Sequence, residues 1–312
     1  VSYKIAVQER RITITYPVYP YIGWEQQCTN VPVVFPPQHQ NRRPGFEYLM
    51  TPRPISENPA YTGSGRLNNK IAIITGGDSG IGRAAAIAFA KEGADLAIVY
   101  LDEHQDAAET KQMINKLGRQ CLLIAADLRK EESSRYAVEA TIQAYGRLDI
   151  LVNNHGVQIH QASILDISRE QLMNVFQTNI ISFFEMTKAA LPHLHAGSTI
   201  INTTSDTAFS GSGHMIDYTA TKGAIVSFTR SLALSLAGQG IRVNAIAPGP
   251  TWTPLIPSAF TADEVKTFGT DVPLRRPGQP FELAPVYVLL ASDDSSYISG
   301  QIYFVNGGSV VT

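Results

Sequence analysis

"TGGDSGIGRAAA", residues 75–86, sets Gly76, Gly80 and Gly82 where an apolar run gives way to a helix-forming one. Directly before it stands "IAIIT" (71–75), which reads as a buried strand. Glycine at a strand-to-helix turn permits positive φ and lets the backbone come close to a pyrophosphate, while the helix N-terminus supplies N–H donors. A tight turn with no ligand would use the same glycines, so the rest of the chain has to decide between the two.

Further short apolar runs follow: "LAIVY" (96–100), "CLLIAA" (121–126), "LDILVN" (148–153), "TIINTT" (199–204), "IRVNAIA" (241–247) and "QIYFVN" (301–306). Their hydrophobicity is nearly continuous, as expected of strands buried on both faces. Segments such as "GRAAAIAFAKEG" and "DAAETKQMINKLG" lie between them, each ending at a glycine suited to a helix C-cap. Such alternation predicts right-handed βαβ units. The expected fold is α/β, a Rossmann-type doubly wound seven-stranded parallel sheet in one domain over 67–312. A glycine-rich turn on the first strand of that sheet favours a nucleotide.

The first 66 residues differ. "YPVYPYIGWEQQ" and "VPVVFPPQHQNRRPGFEYLMTPRPISENP" are rich in proline and aromatics and lack helical or strand periodicity. Proline fixes its own φ and extends its predecessor, which predicts an extended arm over 1–66. The aromatic content argues for an arm lying on its own domain or on a neighbouring subunit. "GSGR" (63–66) marks the hinge into the main domain.

The 312 residues are 44% hydrophobic and 17% charged, with a formal net charge of −2. That balance suits a sizeable core and recommends neither nucleic acid nor an anionic membrane as partner. No run approaches the roughly 20 apolar residues of a spanning helix. The opening "VSYKIAVQERRITITYP" lacks an apolar stretch of about 7–15 residues, so a secretory signal is not expected there. Cys28 and Cys121 are far apart and suggest no disulfide framework, in keeping with a cytoplasmic setting. His104, His193 and His195 make no zinc-ligand pattern, and no metal is expected.

The glycine spacing T-G-x-x-x-G-x-G resembles the cofactor loop of the short-chain dehydrogenase/reductase family. Further matches follow in order: "NNHG" (153–156), Asn179, Ser205, "YTATK" (218–222) and "PGP" (248–250). The resemblance covers about 67–312. Together with "FPPQHQNRRPG" and "GGDSGIGRAAA", it looks like a subgroup of bacterial stress-associated oxidoreductases and plant glucose and ribitol dehydrogenase-like proteins. It implies an NAD(P)-dependent oxidoreductase interconverting a secondary alcohol and a carbonyl, assembled as a homotetramer.

Carbonyl reduction needs a proton donor beside the oxygen as hydride reaches the carbon. Tyr218 and Lys222, at i and i+4, share one face of a helix beginning near Asp217. A nearby ammonium would stabilise the phenolate and lower a phenol pKa of about 10. Ser205, just past the fifth strand, lies at the carboxyl edge where such sheets bind ligands. The resemblance gives its hydroxyl the substrate oxygen, and gives Asn179 a water-linked proton path to the lysine.

By the same resemblance, Gly76, Asp78, Ser79, Gly80, Ile81 and Gly82 surround the pyrophosphate. Asp127 and Leu128 approach the adenine, Asn153 and Gly156 the ribose, and Pro248, Gly249 and Thr251 the nicotinamide. NAD-preferring members commonly carry an Asp where this chain has Tyr100. Asp102, two positions on, would repel a 2′-phosphate if it points inward; as an exposed N-cap it would not. Arg83 could offset it only by curling back from its helix. NAD is therefore expected over NADP. His155 stands where the family usually has alanine, and packing is the expected reason.

The pocket lip is expected from Gln158, His160, Phe209, His214 and "TWTPLIPSAFTADEVKTFG" (251–269), with Trp252 and Phe260 excluding water. A polyol or sugar-like alcohol is compatible. A methyltransferase of related fold would need no Tyr–Lys pair, and a non-enzymatic nicotinamide-binding redox sensor usually loses the tyrosine.

Overall fold

The computed structural model describes residues 24–26 and 30–309. Cys28 lies outside them. Two short arm strands, β1 (Trp24–Gln26) and β2 (Asn30–Pro32), pair antiparallel. The main sheet comprises β3 (Ile71–Thr75), β4 (Asp95–Tyr100), β5 (Cys121–Ala125), β6 (Ile150–Asn153), β7 (Thr199–Thr203), β8 (Arg242–Pro248) and β9 (Ile302–Val305). Its order is β5-β4-β3-β6-β7-β8-β9, and every pairing is parallel. The expected seven-stranded doubly wound sheet is present.

Ten helices accompany it among the described residues: α1 (Gly80–Lys91), α2 (His104–Lys116), α3 (Glu131–Tyr145), α4 (Arg169–Phe176), α5 (Ser182–Ala190), α6 (Thr207–Ser210), α7 (Ile216–Leu236), α8 (Leu255–Ala259), α9 (Ala262–Val265) and α10 (Pro280–Ala291). On β3, Ala72 and Ile74 pack toward α1, α2 and α10, whereas Ile73 packs toward α3, α5 and α7. Both faces are covered, which is why the strand residues run apolar without alternation. Strand β3 sits between β4 and β6, so the chain reverses its winding there and opens a crevice at the carboxyl edge.

The described part of the arm lies on its own domain. Phe35 stacks on Trp252 with ring centroids 3.7 Å apart, and the Trp252 indole donates to Pro52 O at 2.9 Å. Val31 and Ile55 pack with Phe281 of α10. A 3-10 turn, Glu47–Leu49, crosses beside α1 and α2. "GSGR" is a packed corner. A Cβ on Gly63 would come within 1.8 Å of Lys91 O, and the buried Glu92 carboxylate accepts from Ser64 N and Arg66 N.

Candidate active site

A cavity of about 1110 Å³ opens along the carboxyl edge of the sheet. Its floor is the turn between β3 and α1. Gly76 has φ +62°, a conformation open to glycine at little cost. A Cβ on Gly82 would lie 2.0 Å from Gly76 O, so only glycine lets α1 start this close to the strand. Gly76, Asp78, Ser79, Gly80 and Ile81 line the cavity, while Gly82 lies behind them as packing. The first intrahelical bond of α1 runs from Arg83 N to Ser79 O, which leaves the N–H groups of Gly80, Ile81 and Gly82 without intrahelical acceptors.

Ser205, Tyr218 and Lys222 meet at the other end of the cavity. Helix α7 carries the last two on its buried face, and Ser205 follows β7. Burial pushes the Tyr218 phenol up to about 12; a hydrogen bond with Ser205 works against this, and the Asp206 carboxylate adds to it. The fold thus raises this group where the sequence suggested a lowered one, because loss of water is the largest influence on it. Burial also brings the Lys222 ammonium down to about 7. Its Nζ donates to Thr203 O at 2.9 Å.

Asn179 lies outside the cavity lining. A π-turn, Gln177–Ile181, interrupts the run between α4 and α5 and turns its side chain inward. The fully buried amide accepts from Val157 N at 2.8 Å and donates to Val157 O at 2.8 Å and Thr221 Oγ1 at 3.1 Å. It stands beside Lys222 behind Gly156, where a Cβ would meet Asn179 Oδ1 at 3.4 Å and Lys222 Nζ at 3.6 Å.

Tyr100, Asp127, Leu128, Gly156, Pro248, Gly249 and Thr251 also line the cavity. Three expectations change. Asn153 is fully buried beneath the sheet edge, donating to Asn202 Oδ1 at 3.0 Å, and Asn154 faces the cavity instead. Asp102 turns away to pair with Arg42 of the arm at 2.5 Å. It is not the α2 N-cap, a position held by Glu103. Arg83 is buried against Glu47, Thr110 and Asp106 and does not reach the cavity.

At the lip, Gln158, His160, His214 and Phe260 line the cavity. Trp252 and Phe209 do not: Trp252 is fully buried under Phe35, and Phe209 packs on Phe304. His155 lines the cavity and packs on Phe183, with ring centroids 5.2 Å apart. Ser182 Oγ donates to Thr178 O, so it accepts from His155 Nε2 at 2.8 Å, and Nδ1 accepts from Thr75 Oγ1 at 2.7 Å. Burial pushes this imidazole down to about 3, which keeps it neutral.

Sequence reasoning missed Glu103, Arg43 and Arg129, all of which line the cavity. Glu103 had a local signal, its place one residue past Asp102. Arg43 had none, since the arm reaches the site only through the fold.

The family model described as enoyl-(acyl carrier protein) reductase matches residues 76–310. This chain belongs to the short-chain dehydrogenase/reductase family. It is 61% identical over 276 residues to the uncharacterized oxidoreductase YhdF of Bacillus subtilis, covering 88% of this chain and 96% of that one. To the glucose and ribitol dehydrogenase of Daucus carota it is 49% identical, covering 89% and 97%. A short chain dehydrogenase from Burkholderia cenocepacia, solved in complex with NADP, superposes with a TM-score of 0.74 at 31% identity, covering 78% of this chain and 99% of that one. This short-chain dehydrogenase/reductase is an NAD(P)-dependent oxidoreductase. Among its described residues no helix is long and apolar enough to cross a membrane.

Proposed function

We propose that this oxidoreductase interconverts a secondary alcohol and a carbonyl with Ser205, Tyr218, Lys222 and Asn179 as its reacting and supporting groups. The observation that carries the reading is the convergence of the Tyr218 phenol, Ser205 hydroxyl and Lys222 ammonium at one end of the cavity. When bound, the dinucleotide supplies or accepts the hydride. A phenol held near 12 is protonated at neutral pH and can give its proton to a carbonyl oxygen. Ser205 holds that oxygen, Lys222 stands beside the phenol as a group that exchanges a proton near neutral pH, and Asn179 fixes the loop at Val157 behind the lysine.

The glycine turn fits a pyrophosphate, since its backbone donors lack intrahelical acceptors and its glycines admit close approach. Ile81 and Ser79 would hold that group, Asp127 and Leu128 the adenine, and Gly156 and Thr251 the nicotinamide half. For the adenosine ribose we favour NAD. Burial raises the Asp78 carboxyl to about 6, and burial together with the Asp78 charge raises Glu103 to about 8. Asp78, still ionised at neutral pH, opposes a 2′-phosphate, and Glu103, protonated there, offers a hydrogen bond to a ribose hydroxyl. A specific observation favours NADP as the second reading: Arg43, an exposed cation, lines the same cavity.

The substrate class we assign is a polyhydroxylated alcohol. Gln158 is buried at the lip and its Nε2 has no hydrogen-bond partner among the described residues, so a turn of its amide toward the cavity would offer a donor to a second substrate oxygen. His160 Nδ1 lies 3.4 Å from Glu264 Oε1, and both residues line the cavity. The similarity to a glucose and ribitol dehydrogenase agrees with this. A homotetramer remains our expectation for its assembly, with the exposed Leu172, Met173, Ile181 and Phe184 of the α4–α5 region available to a second copy.

A panel of sugars, polyols and simple secondary alcohols, each with NAD and with NADP and read by nicotinamide absorbance, tests the whole reading. Turnover of polyols with NAD is the expected result. No turnover of any alcohol or carbonyl with either dinucleotide would overturn it.

A further inference from the structure

The glycine turn is gripped from outside the dinucleotide-binding domain. Glu47, on the 3-10 turn of the arm, is 1% exposed and stands against the start of α1. Its Oε2 accepts from Gly80 N at 2.6 Å, and its Oε1 pairs with Arg83 Nη1 at 2.5 Å. Arg83 passes the grip on. Its Nε donates to Asp78 O at 2.9 Å, and Thr110 Oγ1 of α2 donates to the same carbonyl at 2.7 Å. The turn is therefore held at Asp78 O on one side and Gly80 N on the other.

The arm is fixed in register for this task. Asp106 of α2 accepts from Glu47 N at 2.7 Å and from Tyr48 N at 3.0 Å. Arg53 pairs with Glu109 at 2.5 Å and lies 3.7 Å from both Glu47 and Asp106. Arg83 and Arg53 thus offset Glu47, Asp106 and Glu109, and the buried carboxylates are not left as lone charges. Anchoring an arm does not require this arrangement. Its apolar contacts at Phe35, Val31 and Ile55 already dock it elsewhere.

We propose that Glu47 is a positioning residue for dinucleotide binding, acting through Gly80 and Arg83 to hold the phosphate-binding turn in its binding shape. The inference rests on the dinucleotide reading of the cavity. Of the first-turn N–H groups of α1, the arm takes that of Gly80 and leaves that of Ile81, which lines the cavity, to a phosphate. With Glu47 gone, the turn must be ordered by the ligand itself, and that ordering is subtracted from affinity. The bond-making end of the cavity, at Tyr218 and Ser205, is built from β7 and α7 and does not touch this network.

The test is full-length Glu47→Gln, which keeps the side-chain shape and loses the charge facing Arg83. Dinucleotide binding by titration of intrinsic fluorescence is expected to weaken by about tenfold, with KM for the dinucleotide rising in step. At saturating dinucleotide, kcat and the KM for the carbonyl or alcohol should stay within about twofold of wild type. A residue that only stabilised the arm would lower the melting temperature and leave the dinucleotide Kd alone; that outcome overturns the proposal. Should Glu47→Gln fail to fold, Arg53→Gln, at a half-buried position on the same network, is read in the same assay. A dinucleotide Kd unchanged in that folded variant overturns the proposal as well. Wild-type protein that binds neither NAD nor NADP removes the underlying reading itself, a result distinct from wild-type binding with indifferent variants.

Discussion

Lys222 Nζ lies 5.4 Å from the centroid of the Tyr218 ring and spends one proton on Thr203 O, 2.9 Å away. The ammonium is therefore braced against the end of β7 while facing the phenol one helical turn back. Burial acts on the two groups in opposite directions, raising the phenol and lowering the amine. Both shifts favour neutral forms, so the phenol is protonated at neutral pH.

Tyr218→Phe removes that proton and little volume. Alcohol–carbonyl turnover should fall by about 10²–10⁴ while dinucleotide binding is retained. Steady-state rates beside a fluorescence titration check both halves. Wild-type-like turnover would remove the phenol from the mechanism.

Lys222 carries a stability cost that depends on pH. Its folded value near 7 lies below an unfolded value of about 10.4, so the unfolded chain binds more protons between them. The cost is full below pH 7 and fades as pH rises toward about 10.4. Lys222→Met should therefore gain more in melting temperature over wild type at pH 6 than at pH 9, even as turnover is lost. Equal gains at both pH values would mean that the ammonium is not paying for burial.

His155 behaves in the same sense at lower pH. Its folded value near 3 lies below the unfolded value of about 6.5, so stability drains as pH falls from 6.5 toward 3. Between pH 6.5 and 5 the loss from this group is about 2 kcal/mol. His155→Gln should abolish that part of the slope in urea unfolding at the two pH values.

Gly82→Ala places a methyl group 2.0 Å from Gly76 O, where backbone would have to move. The expected results are loss of dinucleotide binding and destabilisation by about 1–3 kcal/mol. Circular dichroism melts and ligand titration measure these separately.

Glu103→Gln removes one of the two carboxyls at the adenosine end. The preference for NAD over NADP, taken as a ratio of kcat/KM, should drop by about tenfold at pH 9, where Glu103 is ionised, and change little at pH 7. An unchanged ratio at pH 9 would shift attention to Arg43 as the group that reads this position.

The sheet was legible from residues 71–306 because strands buried on both faces need continuous apolar runs, and short runs separated by glycine-capped helices leave few alternatives. The Tyr218–Lys222 pair was legible because i and i+4 on one helix are neighbours by geometry alone. Ser205 could be placed because the end of a parallel strand is where such sheets open. These are local rules, and the sequence by itself determined what they govern: fold class, glycine turn and the Ser205, Tyr218 and Lys222 side chains at the carboxyl edge of the sheet. Tertiary structure decided the rest. Asn153 turned under the sheet and Asp102 turned to the arm, because each side chain found a partner, Asn202 or Arg42, far away along the chain. Trp252 left the lip for the same reason, taken up by Phe35 and Pro52. Glu47 stands 33 residues before the glycine whose N–H it accepts, across an arm with no periodicity to read. Contacts of that kind follow from how separate segments pack, and no local pattern records them.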